Sequence, residues 1–142
     1  MVREGISLNI FERSIDLAHR YLDVLSLRQS VIADNIANVD TPNFKRSNVT
    51  FEAELERAIV NESTSNLSLI KGNIKHLDGL KELGYLDVKP RKMLDYLSTF
   101  NNNGNNVDID SEMKNLVQNQ MMYNLFTNVQ AHHFKSVNIV IK

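Results

Sequence analysis

Apolar residues recur along the first part of the chain at alternating steps of three and four positions. Such a seven-residue repeat keeps one seam of a helix facing a partner helix. The pattern therefore predicts a long amphipathic helix from near Ile10 to Asn38. Its seam consists of Phe11, Ile15, Ala18, Leu22, Leu25, Ile32, Ile36 and Val39.

A second apolar stripe runs along the same predicted helix, through Leu17, Tyr21, Val24 and Val31. Gln29 interrupts the seam, and a polar residue there either fixes the register of a helix pair or sits at a wet contact. One partner helix would not cover both stripes, so such a helix is buried either in a larger core or in an assembly. In so short a chain we favour an assembly, in which the second stripe faces neighbouring subunits.

The helical pattern returns at Asp110 and continues almost to Lys142. Its apolar positions are Met113, Leu116, Val117, Met121, Met122, Leu125, Phe126, Val129 and Val137. Asp108, Asp110 and Glu112 lie before or within its first turn, where acidic side chains cap free N–H groups and complement the helix dipole. A metal site of these three carboxylates is the alternative, but it lacks the glycine and the twelve-residue ligand pattern of a calcium loop. We therefore favour helix capping over a metal site for these three carboxylates.

The middle of the chain carries weaker signals. Residues 47–50 read as a loop, and a short helix is predicted from Phe51 to about Val60. Glycines punctuate the following residues, residues 93–100 could form one or two helical turns, and the asparagine-rich stretch 101–106 has the composition of a flexible loop. The predicted divisions are 1–60, a variable and partly disordered middle segment 61–106, and a carboxy-terminal helix 107–142 that pairs with the first.

Composition excludes several functions. A net charge of −1 gives no basic field for nucleic acid, and the chain has no cysteine for thiolate or disulfide chemistry. No run is long enough to span a membrane, and the residues after Met1 lack the apolar core of a secretory signal.

Neighbouring His132 and His133 point in different directions on a straight helix, which argues against a shared metal ion. No hydrolase, P-loop or dinucleotide motif occurs, so we expect no catalytic residue, no metal and no cofactor.

The first helix ends in a distinctive string, Ile32 to Arg46. A proline cannot continue a helix interior, and Asn43 tolerates the left-handed backbone that makes turns. The string resembles the "A-N-x-x-N/T-P-G-Y-K" motif at the amino terminus of bacterial flagellar rod and hook proteins, with Asn43 and Phe44 in place of Gly-Tyr. The residues that carry this resemblance are Asn35, Ala37, Asn38, Thr41, Pro42, Phe44 and Lys45.

A second string resembles the "G-N-x-V-D-x-D-x-E-M" that opens the carboxy-terminal helix of the small rod subunits. It is carried by Gly104, Asn105, Val107, Asp108, Asp110, Glu112 and Met113. Two motifs in the expected order, one towards each end, are more specific than either alone. The chain therefore resembles the flagellar basal-body rod proteins, most closely the B-type proximal subunit, with a C-type proximal subunit as an alternative.

The resemblance implies a mainly α fold. In it, long N-terminal and C-terminal helices pack as a coiled coil and a short, partly irregular segment lies between them. The residues expected to form the coiled coil or the assembly contacts are Ile15, Leu22, Leu25, Ile32, Ile36, Leu116, Met122, Leu125 and Val129.

The resemblance also implies a structural subunit that assembles helically, transmits torque and lines an export channel. Its partners would be itself, other rod subunits, a membrane-ring adaptor at the rod base and the flagellar type III export apparatus, with no small-molecule substrate. Its place would be the periplasmic part of the rod, reached without a cleaved signal peptide. From the residues alone, a soluble helical adaptor that binds a partner helix remains the competing hypothesis.

Overall fold

The computed structural model describes residues 2–64, 84–98, 100 and 102–141, and side-chain surroundings for residues 12–61, 84–98, 100 and 102–139. The elements in chain order are α1 (Val2–Ala37), β1 (Ser47–Thr50), α2 (Glu52–Thr64), β2 (Arg91–Leu94) and α3 (Ile109–Ile141). The predicted mainly α fold, with long terminal helices packed together, is confirmed. None of the described helices combines the length and the apolar character that a membrane crossing requires.

The chain divides into two compact units. The first comprises Met1–Val49 and Met93–Lys142, and it contains the packed pair α1 and α3. The second comprises Thr50–Lys92. The division of the chain at residues 60 and 106 stays a prediction, because part of the segment 61–106 lies outside the described residues.

Helix α1 buries one continuous face in the first unit. Ala18, Leu25 and Ile32, spaced by seven residues, are buried as the repeat predicts. Val24 and Val31 are also buried, at 1% and 3% exposure. The expectation that this second stripe of α1 faces neighbouring subunits is therefore wrong for these two valines, because they share the buried face within the subunit.

Helix α3 turns polar side chains towards α1. Asn119, which is 4% exposed, donates from Nδ2 to Leu25 O at 3.0 Å and to Gln29 Oε1 at 2.8 Å. Gln130 is buried, and its Nε2 lies 2.6 Å from His19 Nε2. These bonds form at only one alignment of the two helices, so they fix the register, the role that the sequence left open for Gln29.

Two short strands occur where the sequence predicted a loop and the start of helical turns. β1 and β2 form a two-stranded sheet, so the loop expected at residues 47–50 and the helical turns expected from residue 93 are wrong. In β1, Ser47 and Val49 are buried while the residues between and after them are exposed. This alternation spans only four residues, too few for the sequence pattern to distinguish a strand from a loop.

The second unit is built around a short helix. α2 begins at Glu52 and extends past the predicted end to Thr64. Phe51 and Ala58 are buried, as is Val88. An ion pair joins Arg91 to Glu54 at 3.7 Å, with both side chains substantially solvent-exposed.

Candidate functional site

The two motif strings lie in the first unit and meet in one hydrogen-bonded structure, which we call the clasp. The clasp consists of Asn35, residues 38–47, residues 103–108 and Glu112. It begins where α1 ends: Asn38 N donates to Asn35 O at 3.2 Å, and Asn38 Nδ2 donates to Asp34 O at 2.7 Å. Asn43 has φ 60°, which confirms the prediction of a left-handed turn there.

Asn105 ties the second string to the end of α1. Its side chain is fully buried, and Nδ2 lies 2.9 Å from each of three carbonyl oxygens, those of Asn38, Val39 and Thr41. Its Oδ1 accepts from Val107 N at 2.7 Å. One amide therefore satisfies backbone acceptors that the helix end leaves open. The flexible loop expected at residues 101–106 is wrong for this residue and for its buried neighbour Asn106.

Gly104 allows the two strings to approach closely. It has φ +79°, and a Cβ atom built on it would lie 2.6 Å from Asn43 Oδ1. Next to it, Asn43 N donates to Asn103 O at 3.1 Å, and Lys45 Nζ donates to Gly104 O at 2.8 Å. Only glycine combines this backbone conformation with this contact, which explains the residue at that place in the motif.

Asn106 extends the clasp towards the end of β2. Its Oδ1 accepts from Arg46 N at 2.7 Å, while its Nδ2 donates to Asp95 O at 2.7 Å and to Ser98 Oγ at 3.1 Å. Asp95 N in turn donates to Arg46 O at 2.9 Å. Asn106 thus acts as a bridge between two backbone segments.

A buried polar group closes the clasp against α1. Asn35 and Ser47 form a reciprocal pair: Asn35 Nδ2 donates to Ser47 O at 2.9 Å, and Ser47 N donates to Asn35 Oδ1 at 3.0 Å. Asn35 Nδ2 also lies 3.2 Å from Glu112 Oε2. Arg46 Nη2 forms an ion pair with Glu112 Oε1 at 2.9 Å, although the alignment is not that of a hydrogen bond.

Glu112 has a role that the sequence did not indicate. It lies in the first turn of α3, as predicted, but its carboxylate is 1% exposed and contacts Asn35 and Arg46. Capping is performed by Asp108, whose Oδ1 accepts from Asp110 N at 3.1 Å. A buried acid opposite a buried amide and an arginine cannot be recognised from spacing, because the three are far apart along the chain.

The motif residues differ in exposure. Asn35, Asn105, Val107 and Glu112 are buried, and Asn38, Phe44, Lys45, Gly104 and Asp108 are partly buried. Ala37, Thr41, Pro42, Asp110 and Met113 are exposed. Within the motifs, the buried polar members therefore hold the clasp, while the exposed members lie where a neighbouring molecule could contact them.

The residues expected in the coiled coil or the assembly also fall into two groups. Leu25 and Ile32 are buried, and Ile15, Leu22, Ile36 and Leu116 are partly buried. Met122, Leu125 and Val129 are 47%, 54% and 38% exposed. α3 thus carries an apolar outer face, which comprises Met113, Val117, Met121, Met122, Leu125, Val129, Phe134 and Ile139.

The geometry offers little for metal chemistry in the part of the chain that is described. No group of three potential His, Cys, Asp or Glu ligands occurs there. Glu112, one member of the alternative metal site, is engaged with Arg46 and Asn35. His132 is exposed on α3.

Comparison with known proteins gives a consistent result. A family model described as "Flagella basal body rod protein" matches residues 22–45, which span the second half of α1 and most of the first motif string. Several relatives, including the following three, carry the name flagellar basal body rod protein FlgB. The protein of Borrelia hermsii is 84% identical over 95% of this chain and 100% of its own length, and that of Borreliella burgdorferi is 70% identical over the same shares. The protein of Bacillus subtilis is 31% identical over 94% of this chain and 97% of its own length.

Proposed function

We propose that this chain, which belongs to the family of flagellar basal body rod proteins, is a structural subunit of the proximal rod of a bacterial flagellum. The relatives named above all carry the B-type name, which favours this position over a C-type subunit. The observation that carries the mechanical role is the apolar outer face of α3, on a helix fastened to α1 by the clasp. Eight exposed apolar side chains along one helix mark a surface that other molecules cover.

The subunit assembles with copies of itself and with other rod subunits. Each apolar side chain covered in that process contributes by leaving water, at about 25 cal/mol per Å². A head-to-tail contact whose rotation does not close produces an open helical filament, the shape that a hollow rod requires. The clasp supports this role, because it holds the two terminal helices in one register under load.

Location and delivery follow from the same role. The subunit resides in the periplasmic part of the rod, contacts a membrane-ring adaptor at the rod base and is delivered by the flagellar type III export apparatus without a cleaved signal peptide. The role is mechanical, namely torque transmission and lining of the export channel. It requires no catalysis, no cofactor and no small-molecule substrate.

The experiment that tests this function is complementation of source cells that lack the gene, followed by cryo-tomography of their motors. Cells without the gene should have membrane rings and export gates but no rod, and the wild-type gene should restore the rod. Complete flagella in the deleted cells would overturn the proposal. An adaptor would instead form a complex of fixed mass with its partner in purified samples.

Two variants test the outer face of α3 directly. Leu125→Asp and Val129→Asp place a charge on exposed apolar positions, so each chain should fold and be made but should not restore rods. Asn102→Asp is the matched control, because it adds the same charge at an exposed position outside α3. Normal rods with either of the first two variants would contradict the packing argument.

A further inference from the structure

A short turn after β2 presents two apolar side chains to solvent. We call residues 95–98 the knob. Leu97 is 99% exposed and Tyr96 69% exposed. Single exposed apolar residues are ordinary. An aromatic and a leucine side by side at the tip of one turn form a more specific surface for contact.

The knob is held rigidly by hydrogen bonds. Leu97 N and Ser98 N both donate to Asp95 Oδ1 at 3.1 Å, and Ser98 Oγ donates to Asp95 Oδ2 at 2.7 Å. Asn106 of the clasp fastens both ends of the turn through Asp95 O and Ser98 Oγ. A surface whose backbone is already ordered loses less entropy when it binds.

The same unit contains a groove of about 630 Å³ between α1, β1 and α3. Its apolar lining includes Tyr21, Leu25, Val31, Ile32, Met121 and Met122. Asn119 also lines it and is 4% exposed, and its Oδ1 is buried without a hydrogen-bond partner in the structure. A buried unpaired acceptor is unfavourable, so an occupant that brings a donor would gain from it.

We propose that the knob of one copy docks in the groove of a second copy. This inference rests on the proposed function, in which copies of the chain meet in an assembly. Charge complementarity favours this occupant: among the residues that the structure describes, Arg28 is the only charged one that lines the groove, and Asp95 is the only charged residue of the knob. Leu97 supplies apolar surface, and the Tyr96 hydroxyl supplies a donor for Asn119 Oδ1.

The small area of the knob–groove contact limits its affinity. Tyr96 and Leu97 together offer roughly 300 Å², judged from the ~150–250 Å² that an aromatic side chain buries. A stable complex needs about 800 Å² on each partner. The knob contact alone therefore leaves dilute chains monomeric, and it acts where other contacts of the assembly raise the effective concentration. Because knob and groove are different surfaces, the contact is head-to-tail.

Cysteine cross-linking tests the docking, since the chain contains no cysteine of its own. One copy carries Leu97→Cys with one epitope tag, and a second carries Met122→Cys with another tag. Both are produced in the source cells that lack the gene, and mild oxidation follows. A disulfide requires Cβ atoms about 3.5–4.5 Å apart, so it reports direct contact.

The control pair combines Leu97→Cys with Ser26→Cys, an exposed α1 position outside the groove lining. We expect about tenfold more mixed-tag dimer from the knob–groove pair than from the control, as effective concentration dictates. Equal yields in cells whose rods are restored by the wild-type chain would overturn the docking alone. Failure of the wild-type chain to restore rods would overturn the proposed function, and the docking with it.

A second readout avoids cross-linking. Leu97→Ser removes the most exposed apolar side chain of the knob, so it should leave the fold intact and reduce incorporation into rods. Leu86→Ser is the matched control, because Leu86 is 52% exposed and lies outside the knob. Equal incorporation of the two variants would contradict the docking.

Discussion

Replacing Asn105 tests the clasp at its centre. The Nδ2 atom carries two hydrogens that serve three carbonyl oxygens at 2.9 Å, and Oδ1 accepts one further bond from Val107 N. Asn105→Ala removes all of these bonds. At about 1 kcal/mol for each net hydrogen bond, and more where a buried carbonyl is left unpaired, we expect a loss of about 2–4 kcal/mol in the free energy of unfolding.

Asn105→Asp should lower the free energy of unfolding more than Asn105→Ala does, although aspartate has nearly the same shape as asparagine. A carboxylate cannot donate, and here it would face three carbonyl oxygens, so we expect a loss of about 3–5 kcal/mol at neutral pH. We expect burial and the facing carbonyl oxygens to raise the folded-state pKa of the introduced carboxyl. The deficit should therefore grow as the pH rises from the unfolded value of about 3.9 to the raised folded-state pKa, level off above that pKa, and shrink again as the pH falls towards about 3.9.

Urea unfolding followed by far-ultraviolet circular dichroism measures both losses. Asn102→Asp is the matched control, because Asn102 is exposed in the same loop, and it should change the free energy by less than about 0.5 kcal/mol. The slope of the transition must be unchanged for the comparison to hold. If Asn105→Asp matches Asn102→Asp at neutral pH, then the bonds of Asn105 do not hold the clasp and the reasoning is refuted.

Three further predictions concern single contacts. Gly104→Ala should cost about 1–3 kcal/mol, because it places a Cβ at φ +79° and 2.6 Å from an amide oxygen; thermal melting measures it. Glu112→Gln should cost about 2–4 kcal/mol by leaving Arg46 without its anionic partner at a buried site, as urea unfolding would register. The Ser98 hydroxyl, followed by the Ser98 N–H, lowers the pKa of the Asp95 carboxyl. Ser98→Ala should therefore raise that pKa in a carbon-13 NMR titration, and in the parent chain the turn should loosen only as the pH falls through the lowered value.

Matched controls accompany the first two of these predictions. Gly84→Ala meets its nearest atom only at 3.8 Å and should be almost neutral. Glu54→Gln breaks an exposed 3.7 Å pair and should cost less than about 1 kcal/mol. Equal effects at Gly104 and Gly84, or at Glu112 and Glu54, would show that burial and backbone conformation do not govern these sites.

Local patterns in the sequence were sufficient for the helices and the turn. The seven-residue repeat through Ala18, Leu25 and Ile32 predicts a helix and its buried seam, because periodicity is a property of neighbouring residues. The turn at Asn43 is equally local, since it depends on a proline and on the tolerance of asparagine for positive φ. The sequence pattern also predicted the carboxy-terminal end of α1 to within one residue, at Asn38 where the helix ends at Ala37. It did not predict the beginning, which is at Val2 and not near Ile10.

Only the tertiary structure showed which polar residues form buried contacts between distant parts of the chain. Asn105 looks like a loop residue in an asparagine-rich stretch, yet it is fully buried against the end of α1. Glu112 looks like a helix-capping acid, yet it pairs with Arg46. Asn119 and Gln130 interrupt an apolar pattern, yet they face α1. In each case the partner lies far away along the chain, and no local pattern encodes a non-local hydrogen bond.

The same limit applies to the faces of the helices. Both terminal helices carry apolar residues around much of their circumference, so periodicity found the seam of α1 but could not say whether the second stripe also lies inside. Packing places Val24 and Val31 inside and leaves Leu125 and Val129 outside. The sequence by itself determined the helices, the turn and the two motif strings. The tertiary structure joined the strings into one clasp and selected the exposed face, because burial depends on how whole elements pack and not on the order of residues within one of them.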